Sequence, residues 1–233
     1  MPFAREPGAP AQVAIPDDVL GRARTLATPG DRHLLGIAGP PGSGKSTLAQ
    51  ELACRLGPEA VYVPMDGFHL ASCELERLGR QERKGAPDTF DAGGYAALLR
   101  RLRHPVESVV YAPEFRREIE EPVAGAIAVP ATVPLVLTEG NYLLLDDPAW
   151  RPVRELLDEV WYLDADEAAR RDWLIRRHIA HGKEPAAAQA WVDASDQANA
   201  EAIAATRDLA DVHVQISAEY PGVVFGPSSR GGA

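Results

Sequence analysis

The chain has 233 residues, 45% of them hydrophobic and 25% charged, with a formal net charge of −10. That is ordinary globular composition, which excludes a wholly disordered or fibrous protein and is long enough for one α/β domain but short for two. The acidic balance argues against a nucleic-acid binder, because phosphate backbones are held by basic surfaces, whereas a small anionic ligand needs only local cations.

Residues 1–14 are rich in Pro and Ala and are expected to form a loose arm. From Pro16, two Asp residues and the apolar positions Val19, Leu20, Ala23 and Leu26 predict an amphipathic helix at a sheet edge, stopped by Thr28-Pro29-Gly30. His33 to Ala38 is an apolar run of buried-strand length. It leads into Gly39-Pro40-Pro41-Gly42-Ser43-Gly44-Lys45-Ser46, a complete G-x-x-x-x-G-K-[ST] phosphate-binding loop, and Leu48, Leu52, Ala53 and Leu56 then repeat at helical spacing. Strand, glycine-rich loop and helix occur in the order that lets backbone amides and a helix N-terminus surround phosphate oxygens. Lys45 is placed to reach the outer phosphates, and the Ser46 hydroxyl to join Mg²⁺.

Ala60 to Pro64 predicts a second strand, with Asp66 just beyond its end, and residues 70–91 read as a polar, irregular binding segment followed by a helix over 94–102. Val106 to Ala112 is strand-like, and the charged stretch 113–122 suits a hairpin-like insertion. Ala126–Val129 and Val133–Thr138 are further strand candidates, the second ending at Glu139. Helical pattern over 153–157, strand over 159–163, helices over 167–181 and 185–207, and a last strand over 212–216 complete the core, and the Pro/Gly/Ser-rich residues 220–233 read as a disordered tail. Strands separated by helices predict an α/β, doubly wound, mostly parallel sheet of the P-loop NTPase type, with one domain over 15–219 and a helical lid over about 167–186.

Ligands of such sheets lie beyond the carboxyl ends of the strands, so the phosphate loop, Asp66 and Glu139 are expected to face one crevice. Phosphoryl transfer needs cations on the migrating group, a metal and a carboxylate to orient and deprotonate the attacking hydroxyl. Asp66 and Glu139 are the candidates for base and metal partner. Arg170, Arg171, Arg176 and Arg177 share one predicted helix, with Arg170 and Arg177 on one face and Arg176 pointing elsewhere. Only three of the basic residues are lysines, Lys45, Lys84 and Lys183, and lysine in so Arg-rich a chain invites a functional question. Cys54 and Cys73 have no metal-type spacing, and no run approaches membrane-spanning length. The expectation is a cytoplasmic protein with free thiols, with no membrane or nucleic-acid partner. An isologous homodimer is compatible with the chain, though no stretch marks an interface.

Gly39 to Thr47, Met65-Asp66-Gly67-Phe68-His69, Arg83 to Asp91 and Thr138-Glu139-Gly140-Asn141 together resemble the phosphoribulokinase/uridine kinase/pantothenate kinase class, and are most similar to its small bacterial nucleoside/nucleotide kinase or fructose-transport-system-kinase members. The resemblance runs from about Leu34 to Val214. It implies an ATP- and Mg²⁺-dependent kinase acting on a hydroxyl of a small polar metabolite. By resemblance, Asp66 is the catalytic base, Lys45 and Ser46 contact phosphate and Mg²⁺, Glu139 lies near the metal, and Arg171 and Arg177 are lid arginines. His69, Arg83, Lys84, Asp91, Arg117 and Asn141 fall in the segments that border the acceptor. His69 stands where uridine kinases usually carry Tyr, and Arg116 where relatives often carry Asp, which leaves Arg117 to keep the pattern. The competing reading is a regulatory P-loop ATPase that switches a protein partner, which would leave the Arg83 to Asp91 segment and the lid without a role. A GTPase is disfavoured by the lack of an N-K-x-D segment.

Overall fold

A computed structural model describes residues 15–216 and 223–226. The expected arm over 1–14 lies outside the described residues. Among the described residues the main sheet has six strands: β1 (His33–Ala38), β2 (Ala60–Pro64), β5 (Leu135–Glu139), β6 (Glu159–Ala165), β7 (Val212–Ile216) and β8 (Val223–Gly226). Their spatial order is β2-β5-β1-β6-β7-β8, and every pairing is parallel except β7 with β8. The doubly wound, mostly parallel sheet expected from the alternation of strands and helices is therefore present.

Alternate side chains of each strand enter two cores, as a pleated sheet covered on both faces demands. Leu35, Ile37, Leu135, Leu137, Trp161 and Leu163 pack with Val19 and Leu20 of α1 (Asp17–Leu26) and with Leu48 and Leu52 of α2 (Lys45–Leu56). Leu34, Val136, Val160 and Tyr162 face the opposite way, toward Tyr95 and Leu99 of α4 (Ala92–Arg103), Val153 of α5 (Arg151–Leu156) and Ile203 of α8 (Gln197–Ala204). Each fully buried Leu or Ile contributes about 1.5–3 kcal/mol, so both helical layers are pinned to the sheet.

Connectivity then fixes where a ligand can sit. From β1 the chain leaves through α2 toward β2, and from β5 it leaves through α5 toward β6 on the other side of β1. The crevice at this change of direction opens above the carboxyl ends of the strands.

The expected hairpin-like insertion is present as a separate two-stranded sheet, β3 (Val109–Arg116) with β4 (Glu121–Pro130), whose strand ends and turn take up the charged stretch 113–122. Charge is tolerated there because the hairpin stands outside the main sheet and keeps solvent on it. The register shifts between Ala112 and Glu114, at Pro113, which has no amide to give the ladder. The polar segment 70–91 contains a short helix, α3 (Ser72–Arg77), held by a Glu74–Arg77 pair. The single helix expected over 185–207 is α7 (Pro185–Trp191), a π-helical turn over Val192–Asp196, and α8. Within the residues read as a tail, Val223–Gly226 form β8, where a β-branched and aromatic run extends the sheet edge.

The hairpin docks on the turn Met65–Phe68. A Cβ added at Gly67 would lie 2.4 Å from the Pro113 carbonyl oxygen, so only glycine allows this approach. Gly67→Ala is expected to cost about 1–3 kcal/mol through overpacking against backbone. Thermal denaturation checks this, and an unchanged Tm would show that the hairpin does not rest on the turn.

Candidate active site

The phosphate loop owes its shape to glycines in conformations that other residues resist. Gly42 and Gly44 have φ of 78° and 89°, and a Cβ at Gly42 would lie 2.7 Å from Leu174 Cγ. Leu174 belongs to α6 (Glu167–Ala180), so the loop is packed directly under the first turns of that helix. Arg170, 2% exposed, strengthens the junction: it donates to the Pro41 carbonyl (3.0 Å), to Glu167 (2.8 Å) and to Gln197 of α8 (2.8 Å).

Lys45 opens α2 and is buried, its ammonium donating to the Pro40 carbonyl at 2.9 Å. Burial lowers its pKa to about 8, with Arg177 and Arg170 acting in the same direction and the carboxylates of Glu139 and Asp66 opposing them. Glu139, the last residue of β5, accepts hydrogen bonds from Ser46 Oγ (3.0 Å) and from the Tyr62 hydroxyl of β2 (2.7 Å). Burial and the neighbouring Asp66 raise the Glu139 carboxyl above its ordinary value, against the pull of Lys45, Tyr62 and Ser46.

Asp66 sits just past β2 and behaves oppositely. Burial would raise its carboxyl, but His69, Arg117, Arg177 and Lys45 outweigh that and hold it below its usual value. The Arg117 guanidinium stands 3.8 Å from its Oδ2. Asp66 therefore stays ionised at neutral pH, which is the form a general base must have. His69 Nδ1 lies 2.8 Å from the Asp66 carbonyl, an atom that can only accept, so Nδ1 carries the proton. Its ring stacks beside Phe90 (centroids 4.0 Å apart) and Phe115 (4.7 Å), and burial lowers its pKa, Asp66 opposing, so the imidazole is neutral.

One cleft of about 530 Å³ brings together Pro41, Gly42, Gly44, Lys45, Ser46, Thr47, Asp66, His69, Lys84, Arg117, Glu139, Asn141 and Arg177. Gly39, Pro40 and Ser43 form the loop's base, where a Cβ on Gly39 would lie 2.8 Å from the Leu163 carbonyl oxygen. Three expected site residues are engaged elsewhere. Arg171 is hydrogen-bonded to Asp193, Arg83 to Asp88, and Asp91 caps α4 by accepting from Gly94 N. Arg176, expected to point away, lines the cleft while paired with Asp172.

Sequence reasoning missed Tyr62, Glu120 and the buried role of Arg170. Tyr62 alternates with apolar strand residues, and only the parallel pairing of β2 with β5 brings its hydroxyl to Glu139. The cleft also takes in Trp173, His178, Trp191, Asp196 and Asn199 from α6 to α8. His178 Nε2 lies 2.9 Å from Asp196 Oδ2, and the Lys183 ammonium sits 4.4 Å from the centroid of the Trp191 ring.

Comparison with known proteins decides the family. The chain is 38% identical over 175 residues to a Schizosaccharomyces pombe protein provisionally named a uridine kinase, covering 71% of this chain and 74% of that one. The chain belongs to the phosphoribulokinase/uridine kinase/pantothenate kinase class of P-loop kinases. This kinase is also 35% identical over 202 residues to the Escherichia coli K12 protein YggC, covering 84% and 83% of the two chains. It superposes with a TM-score of 0.73 on the crystal structure of a Silicibacter sp. TM1040 protein provisionally named a fructose transport system kinase, at 39% identity, covering 81% of the kinase and 93% of that chain. No protein-family model matches the chain. Among the described residues no helix is long and apolar enough to cross a membrane.

A P-loop kinase with a Lys45 pKa near 8 has a definite pH signature. A nucleotide phosphate held by the Lys45 ammonium would bind fully well below about pH 8 and less tightly as pH rises through it. MgADP titrations between pH 7 and 9.5 are expected to show this loss, and Lys45→Arg, whose guanidinium does not deprotonate, to flatten it. An identical slope in both proteins would assign the titration to another group.

Proposed function

We propose that this kinase transfers the γ-phosphoryl group of ATP to a hydroxyl of a small polar metabolite, with Asp66 as general base. The observation that carries the reading is that an ionised Asp66, the phosphate-loop Lys45 and the buried Glu139 meet in one cleft at the carboxyl ends of β1, β2 and β5. The acceptor oxygen attacks the γ-phosphorus, its proton passes to the Asp66 carboxylate, and the bond to the bridging oxygen breaks with its electron pair leaving on ADP. Lys45 and Arg177 neutralise charge on the migrating group.

The donor set fits Mg²⁺. Ser46 and Glu139 offer hard oxygens at hydrogen-bonding distance from one another, and this ion is usually held by one or two protein oxygens beside substrate phosphates. When bound, Mg²⁺ supplies positive charge to the phosphate oxygens and favours the ionised form of Glu139. The protein's own contribution is to hold that carboxylate in place through Tyr62.

A sugar, a nucleoside or a pantothenate-like alcohol each offers the required hydroxyl, and the relatives' names span a nucleoside and a sugar. Incubation with Mg²⁺ and γ-labelled ATP against representatives of each class tests the reading. Label is expected on one acceptor class as a phosphomonoester. Release of all label as inorganic phosphate with every acceptor would favour a regulatory ATPase instead.

A further inference from the structure

Beneath the cleft, a polar chain crosses otherwise apolar packing. Tyr95, fully buried in the first turn of α4, brings its hydroxyl to 2.6 Å from Thr138 Oγ1, and Thr138 donates in turn to the Val63 carbonyl at 2.6 Å. A carbonyl can only accept, so the Thr138 proton goes to Val63 and Tyr95 is the donor to Thr138. Burial pushes the Tyr95 hydroxyl well above its ordinary value, with Thr138 opposing and Glu139 and Asp66 adding, so the donor keeps its proton.

The chain touches both strands that carry the carboxylates of the site. Thr138 precedes Glu139 at the end of β5, and its register partner Val63 lies just before Pro64, the last residue of β2, beyond which comes Asp66. Among the described residues β2 is an edge of the main sheet and pairs with β5 alone, so the position of its end is set from one side. Past Val63, close packing takes over: a Cβ added at Gly140 would lie 2.4 Å from Met65 Sδ and 2.7 Å from its Cβ.

Tyr95 also reaches the opposite wall of the cleft. α4 follows the 84–91 segment, which lines the cleft through Lys84, Gly85 and Phe90. That segment is tied to the residues around Asp66 by backbone hydrogen bonds of 2.9 Å, from Leu70 N to the Thr89 carbonyl and from Asp91 N to the Phe68 carbonyl. The Phe68 and Tyr95 ring centroids are 5.1 Å apart. One side chain thus joins the acceptor wall, the turn bearing Asp66 and the strand bearing Glu139. Stability alone does not call for hydroxyls here. A Phe and a Val would fill much the same volume with no polar group to satisfy, whereas directional bonds select one seating of β2 on β5.

The geometry points to Tyr95 as a positioning residue for phosphoryl transfer, which through Thr138 and Val63 sets where Asp66 stands relative to Glu139 and the phosphate loop. This inference rests on the assignment of Asp66 as the base. Its effect falls on the chemical step, because a base displaced by a fraction of an ångström loses its alignment with the acceptor hydroxyl. Nucleotide binding is spared, since the phosphate loop is packed against α6 instead.

The test is ADP formation by the full chain with MgATP and the fastest of three acceptors, fructose, uridine and pantothenate. Tyr95→Phe keeps the ring and leaves no donor without a partner. It is expected to lower kcat about tenfold while the KM for ATP and the affinity for MgADP stay within about twofold. Thr138→Val, which breaks the chain at its centre, is expected to do the same, and Thr138→Ser, which keeps the hydroxyl, to retain most of the rate. A double-mutant cycle with Asp66→Asn then separates positioning from general support. If Tyr95 works through the base, Tyr95→Phe has no further effect on the residual turnover of the Asp66→Asn enzyme. A simple structural role would lower the rate in both backgrounds, together with thermal stability and MgADP affinity. That outcome, or an unchanged kcat in Tyr95→Phe, would overturn the inference and leave the kinase reading standing. Wild-type ADP formation that none of the three acceptors accelerates would overturn both.

Discussion

Asp66→Asn is expected to lower acceptor phosphorylation by about 10²–10⁴-fold, the range for loss of a positioned general base, while MgADP affinity stays within a few fold. The asymmetry follows from the site. Asn keeps the size of the side chain just beyond β2 but cannot take the acceptor's proton, and the phosphate loop is built from other residues. Because His69, Arg117, Arg177 and Lys45 hold the Asp66 carboxyl below its ordinary value, Asp66 is ionised at neutral pH, the form that the proposed base requires. Steady-state turnover with calorimetric binding separates the two effects. Undiminished turnover in the variant would remove Asp66 from the chemistry, and parallel loss of nucleotide binding would mean a collapsed cleft.

The second large effect is expected at Lys45. Lys45→Ala is expected to reduce turnover by about 10²-fold or more, the scale seen when a charge-stabilising group is deleted from a transition state. Lys45 is also a buried cation within electrostatic reach of both Glu139 and Asp66, so its removal leaves the repulsion between the two carboxylates less compensated. Glu139, already raised by burial and by Asp66, is then expected to bind a proton more readily and to require more Mg²⁺ to displace it. The Mg²⁺ concentration for half-maximal nucleotide binding reports this. Wild-type turnover with normal Mg²⁺ dependence would remove the phosphate loop from catalysis.

The sheet and its crevice were legible because their signals are local. An apolar run, a glycine-rich loop and a helical repeat lie side by side in residues 33–56, and parallel strands joined by helices leave few arrangements. Asp66 and Glu139 could be picked out for the same reason, as Glu139 ends one strand and Asp66 lies two residues beyond another. What was not legible depends on contacts distant in sequence. Arg171 and Arg177 look alike on a helical pattern, and only the packing of α6 against the π-helical turn gives Arg171 to Asp193 while Arg177 lines the cleft. Arg170 reads as one more exposed cation until Pro41, Glu167 and Gln197 converge on it. Arg83 stands one residue before Lys84, yet an irregular backbone turns it to Asp88 and Lys84 to the cleft, and no periodicity encodes that choice.

The measurement closest to the central claim is the rate of ATP consumption by purified protein with Mg²⁺, first alone and then with each member of a panel of sugars, polyols, nucleosides and hydroxy acids. Acceleration far above the acceptor-free rate by one class, matched mole for mole by phosphorylated acceptor, is the predicted result. Appreciable hydrolysis that no acceptor changes would contradict it.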